Sequence, residues 1–201
     1  MIAAIVTFAG PVGDGYELFR RSMHDQLIHA GRSEATVAPL ADDTTAFIRL
    51  RVEHADATII APLQARVLGG LVANGFTREQ AAGALKAVDN PEIYQIARTR
   101  VASDLRSLRM PVLELFGSLD PLVTASGNAA AARAALAANP RAKVVVFEGL
   151  SHWFKEGAKT GSEEENGALG ANIGSPRVVA LVGDWLRDAL RPAPMSRSAS
   201  R

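Results

Sequence analysis

The chain has no cysteine, no excess of either charge and no long apolar run, and each absence removes a class of function. Without cysteine there is no disulfide frame, no thiolate nucleophile and no Cys-ligated metal site. Its 22 Lys and Arg against 21 Asp and Glu leave a formal charge of +1, which offers no electrostatic footprint for nucleic acid or anionic lipid. The opening Met1 to Ala9 is apolar, but it lacks a basic leader and meets Gly10-Pro11 far too early to span a bilayer. These exclusions leave cytoplasm as the default location. What remains, 201 residues of which 48% are hydrophobic and 21% charged, has the proportions of a globular domain with a real core.

Three β-branched, apolar segments read as strands buried on both faces: Ile2 to Phe8, Val112 to Phe116 with Gly117 closing it, and Lys143 to Phe147. The second and third are separated by Asn128 to Asn139, an Ala-rich run of high helix propensity that Pro140 stops. Strand, helix, strand predicts a parallel crossover. Between the first and second strands lie roughly a hundred residues with helical patterning, far more than one crossover needs. Thr77-Arg78-Glu79-Gln80 fits a capping box, and Asn90-Pro91 places an N-cap before a first-turn proline. Tyr16, Phe19, Met23 and Leu27 form an apolar stripe that predicts packing against the sheet or another helix.

Beyond Phe154 the chain is Gly-rich and acidic through Glu163-Glu164-Glu165, read as a solvated loop. Ser175-Pro176 then opens an amphipathic helix expected to turn Val179, Val182, Trp185 and Leu186 inward. Residues 191–201 form a basic tail too poor in hydrophobes to fold.

Two loops carry the chemistry. Leu115-Phe116-Gly117-Ser118-Leu119-Asp120-Pro121 puts an acid just past the C-terminal end of a strand, where open α/β sheets place functional groups. Thirty-two residues on, Phe147-Glu148-Gly149-Leu150-Ser151-His152 sets a histidine past the next strand. Neighbouring parallel strands bring both loops to one sheet edge, where Asp120 can hold one imidazole nitrogen while the other serves as a general base. Other constellations are weaker. His24 and His29 are five apart and diverge on a helix, and His54 has no partner at ligand spacing, so no metal is expected. Gly10-Pro11-Val12-Gly13-Asp14-Gly15 is not a dinucleotide fingerprint, so no cofactor is expected.

Strand, Gly-x-x-Asp, helix, strand, Gly-x-x-His resembles the acid and histidine segments of the α/β-hydrolases, in that family's chain order. The aromatic pair Trp153-Phe154 and the closing helix resemble its last elements, and Val6 to Pro11 resembles the strand after which many esterases and lipases insert a helical cap. The resemblance covers residues 1 to about 190. It implies a partial α/β-hydrolase core at 1–14 and 106–190, with about three parallel strands (2–8, 112–117, 143–147), a helical cap at 15–105, and Asp120 and His152 as the catalytic acid and base.

The family's nucleophile elbow, Gly-x-Ser-x-Gly, occurs nowhere in the chain, nor does a His-Gly-Gly-Gly oxyanion loop. Gly31-Arg32-Ser33-Glu34-Ala35 has related spacing but follows a helical stretch, so Ser33 reads as a helix N-cap. The expectation is therefore a fragment, or a gene product with a misplaced start at Met1, that would act on an ester-like small molecule only when a missing N-terminal half completed it. Two rivals stand beside it: an inactive α/β-hydrolase-like binding or interaction protein, and an enzyme using Ser33 despite its context. In either of the first two cases the uncovered edge of the first strand predicts self-association.

Overall fold

A computed structural model describes residues 2–170 and 174–191; the tail beyond Arg191 lies outside the described residues. Three strands, β1 (Ile5–Phe8), β2 (Val112–Gly117) and β3 (Ala142–Phe147), form a parallel sheet in the order β1-β2-β3. Ile5 pairs with Val112 and Val112 with Ala142. The three expected strands are present, but only β2 is buried along its whole length. β1 and β3 are the two edges, and Phe8 is 53% exposed. β1 also starts at Ile5 instead of Ile2, for a covalent reason. Ile5 N–H donates to Pro111 O at 3.0 Å, and the next rung upstream would need an amide hydrogen that Pro111 lacks.

Six helices separate β1 from β2: α1 (Gly15–His29), α2 (Glu34–Val52), α3 (Ala57–Ala73), α4 (Arg78–Val88), α5 (Pro91–Ala97) and α6 (Val101–Ser107). The cap signals act as the sequence requires. Thr77 and Gln80 exchange both bonds of a capping box, at 3.1 and 2.8 Å. Asn90 Oδ1 accepts from the amides of Glu92 and Ile93 ahead of α5, whose first residue is Pro91. Helices α1 to α5 surround a core of their own built on Phe47, Ile48, Val37, Leu40 and Val67, against which Tyr16, Phe19 and Met23 pack. The α1 stripe therefore faces other helices.

The sheet has a separate core on each face. On one, Val112 and Phe116 of β2 meet Leu105 of α6 and the alanines of α7 (Ala125–Ala135). Phe116 is fully buried, so Phe116→Ala would cost about 3–5 kcal/mol. Helix α7 begins three residues before the expected start and ends well short of Pro140. Its exit turn is held by Asn139, whose amide donates to Leu108 O and Met110 O while its Oδ1 accepts from Arg141 N.

On the other face, Leu113, Leu115, Phe147 and Leu150 pack against α9 (Pro176–Ala189). The inward residues of α9 are Val178, Leu181, Val182 and Trp185. Val179 is 66% exposed, a correction to the expected stripe, because the helix is docked one position round from the predicted face. The acidic run is likewise no simple loop, since Glu163–Ala168 forms a short helix, α8, capped by the Ser162 hydroxyl. Among the described residues, no helix is long and apolar enough to cross a membrane.

Candidate functional site

The β2–α7 and β3–α8 loops emerge side by side from the C-terminal edge of the sheet. Ser118 N and Leu119 N donate to Phe147 O and Leu150 O, at 3.0 and 2.9 Å, extending the β2–β3 pairing into the loops. Gly117 permits this approach. A Cβ there would lie 2.4 Å from Leu150 O and 2.6 Å from Ser151 O, inside contact distance of backbone that cannot yield.

The turn at Pro121 aims the Asp120 carboxylate. Oδ1 accepts from the amides of Leu122 and Val123, both at 2.8 Å, which fixes the side chain and leaves Oδ2 to reach His152 Nδ1 at 2.8 Å. The Asp120 side chain is fully buried, whereas that of His152 is 25% exposed. An ionised carboxylate only accepts, so Nδ1 carries the proton and the neutral ring keeps its lone pair on Nε2. The Asp120 hydrogen bond raises the His152 pKa above its ordinary value; burial works against this, and the charges of Asp120 and Glu163 add to it. Among the described residues no hydroxyl hydrogen-bonds the remaining ring nitrogen. The two residues singled out from sequence are thus brought together, in a geometry able to accept a proton from a hydroxyl or water and pass it on.

His152 opens on an apolar groove of about 590 Å³ lined by Phe8, Trp153, Phe154, Val179 and Val182. Phe154 meets Phe8 and Phe147 edge-to-face, with ring centroids 5.9 and 6.2 Å away, and Trp153 stands edge-on to the imidazole at 5.5 Å. A second cleft, about 670 Å³, lies between α1 and the Asp120 loop and is bordered by Asp25, His29, Thr124 and Lys159. It does not include His152, which lines the apolar groove.

Other candidates are placed elsewhere. Ser33 is the N-cap of α2, entered from the turn that ends α1, so it lacks the strand, sharp turn and helix of a nucleophile elbow. His24 is held between Asp25 and Glu34, at 3.0 and 2.8 Å, and no group of three potential metal ligands occurs among the described residues. Gly15 serves packing: a Cβ there would lie 2.2 Å from Ile96 O.

Sequence reasoning missed the segment that follows the histidine. The Glu165 carboxylate accepts from the amides of Lys159, Thr160 and Gly161, at 2.7, 2.9 and 2.7 Å. These bonds hold its pKa down to about 2. Asn166, buried beside it, accepts from Ser151 Oγ at 2.6 Å and donates to Gly161 O at 3.0 Å. A signal existed in Ser162-x-x-Glu165, the spacing of a helix N-terminus. No family model, no curated protein and no solved structure matches this chain, whose structure is a mixed α/β fold with a three-stranded parallel sheet and flanking helices.

Proposed function

We propose that the chain supplies the acid and base of a Ser-His-Asp acyl hydrolase of the α/β-hydrolase kind, acting on a carboxylic ester or related acyl substrate without a cofactor. The observation that carries this reading is the Asp120–His152 bond: a buried carboxylate, pinned by two amides, holds the proximal ring nitrogen of a histidine that lines an apolar groove, and among the described residues the distal nitrogen has no hydrogen-bond partner. In this reading residues 1–14 and 106–190 are the catalytic core and 15–105 a cap. A serine on a segment outside these 201 residues is presented at the open flank of β1. His152 takes its proton as it attacks the acyl carbon, then returns a proton to the leaving alkoxide, while Asp120 orients the ring and balances the imidazolium charge.

The test is complementation. Co-expression with a segment carrying strand, Gly-x-Ser-x-Gly and helix should give hydrolysis of an activated ester, abolished by His152→Ala. Restored activity indifferent to that substitution would end the assignment.

A second reading, a binding protein that does no chemistry, is favoured by one observation: the groove beside His152 is apolar and adjoins the unpaired edge of β1. The occupant would be a further strand, including that of a second copy. This reading gains if the 201-residue chain folds alone and binds a partner with Asp120→Asn and His152→Ala both unaffected.

A further inference from the structure

We infer that Asn166 is a positioning residue for the Asp120–His152 pair, tying the histidine loop and the acid loop to one clasp formed by residues 155–170. This rests on reading the pair as an acid–base unit, and it concerns how that unit is held, not which substrate it serves.

The residue beside the histidine supplies the first link. Ser151 is completely buried, and its hydroxyl donates to Asn166 Oδ1, itself within a residue 3% exposed. A buried hydroxyl–amide bond is worth most where both partners would otherwise be orphaned, so it fixes the backbone immediately before the imidazole. The second link runs to the acid. Asn166 Nδ2 donates to Gly161 O. Gly161 has φ +72°, and a Cβ there would sit 1.8 Å from Leu119 O, so its backbone is pressed against the residue preceding Asp120. One side-chain amide therefore holds the histidine loop directly through its acceptor, and through its donor it holds the Gly161 backbone that lies against the acid loop.

Two further contacts keep that amide in place. Glu165 gathers three successive amides ending at Gly161, and Lys155 Nζ donates to Asn166 O at 2.6 Å. The three amides hold the Glu165 pKa down to about 2, so its carboxylate stays an acceptor for them throughout the range in which His152 changes charge. The charged groups that bear on His152 itself are Asp120 and Glu163, and Glu163 opens the helix that carries Asn166.

The experiment uses the intact chain and needs no substrate. The His152 ring would be followed by NMR for its titration midpoint and for the downfield Nδ1–H resonance of an imidazole bonded to a carboxylate. Asn166→Ala and Ser151→Ala should each lower the midpoint and weaken or abolish that resonance. Leu85→Ala, in the separate core of the helical insertion, provides a destabilised control that should leave both signals alone.

Should Asn166→Ala fail to fold, Ser151→Ala decides, since it removes a single oxygen. A folded Ser151→Ala chain with unchanged His152 signals overturns the proposal, as does an equal change in Leu85→Ala. Asp120→Asn separates the premise from the inference. If the downfield resonance survives that substitution, the pair itself is wrong; if it is lost there but kept in Ser151→Ala and Asn166→Ala, the pair stands and Asn166 has no part in holding it.

Discussion

Glu114, in the middle of the central strand, accepts a hydrogen bond from the hydroxyl of Thr7 on its neighbour β1. The residue is 1% exposed, and among the described residues no cation pairs with its carboxyl. Burial raises its pKa, and the Thr7 bond only partly offsets this. A raised carboxyl pKa means that the folded state binds the proton more tightly than the unfolded one.

Stability should therefore decline as pH rises from the unfolded carboxyl range, about 4.3, through the folded pKa of Glu114, and the penalty should be constant above that. Glu114→Gln removes the titration. Urea midpoints taken from acid to neutral pH should show the variant gaining on the parent as pH rises, and parallel curves would show that Glu114 is not the source.

His152 carries the same sign at higher pH. Its folded pKa is raised by Asp120, so the contribution of this bond is fully present below the unfolded value of about 6.5 and is lost as pH rises through the folded one. Asp120→Asn can still accept from the Leu122 and Val123 amides but no longer stabilises an imidazolium. The parent should exceed this variant by about 1.5–3 kcal/mol at mildly acidic pH, the range for hydrogen bonds to charged groups, with the gap narrowing at alkaline pH. In a complemented enzyme the same substitution should lower turnover on the order of 10⁴ by favouring the wrong tautomer.

Much of this site was legible because its parts are local. Gly117 closes β2 and Asp120 follows it in the next turn, Gly149 and His152 lie within one loop, and parallel pairing of β2 with β3 brings these segments together without further information. The short start of β1 was also latent in Pro111, but only once the register was known. The clasp was illegible for a different reason. Glu165 binds amides behind it in sequence, and Asn166 bridges two segments fifteen and five residues away, so neither leaves a periodic trace. The facing of α9 failed because the sequence sets Val178 and Val179 side by side, which fixes an apolar side without fixing which of them meets the sheet.

Gly161 offers a stability test of the clasp. With φ +72° and Leu119 O already in contact, Gly161→Ala combines backbone strain with overpacking and should destabilise the chain by about 2 kcal/mol or more. Gly167→Ala, where a Cβ meets open space, is the matched control and should be nearly neutral in thermal unfolding.

Among the described residues no strand pairs with the outer edge of β1, which predicts association. In its ladder Ile5 and Ala9 donate to β2, which leaves the backbone groups of Val6 and Phe8 directed away from it. With Phe8 and Val179 both exposed beside that edge, the 201-residue chain should self-associate in a concentration-dependent way by sedimentation velocity. Phe8→Lys, which charges the strand end without entering either sheet core, should shift it toward monomer. A parent that remains monomeric at high concentration would show that the edge is not sticky.

In subtilisin, loss of the serine lowers turnover on the order of 10⁶, and the residual rate comes from the oxyanion site and substrate binding. Among the described residues, His152 has neither a hydroxyl on its free ring nitrogen nor a Gly-x-Ser-x-Gly turn to present one. Residues 1–201 alone should therefore give no acyl-enzyme burst with an activated ester and no stoichiometric labelling by a serine-directed phosphonate. The serine most open to challenge is Ser33, which precedes α2 as its N-cap without capping it through the side chain, so its hydroxyl is not committed to that role. Labelling at Ser33, mapped by peptide mass and lost in Ser33→Ala, would move the reactive centre to the α1–α2 turn and leave the Asp120–His152 bond without a catalytic part. Labelling elsewhere that disappears in His152→Ala would instead identify a nucleophile that approaches the imidazole only in solution.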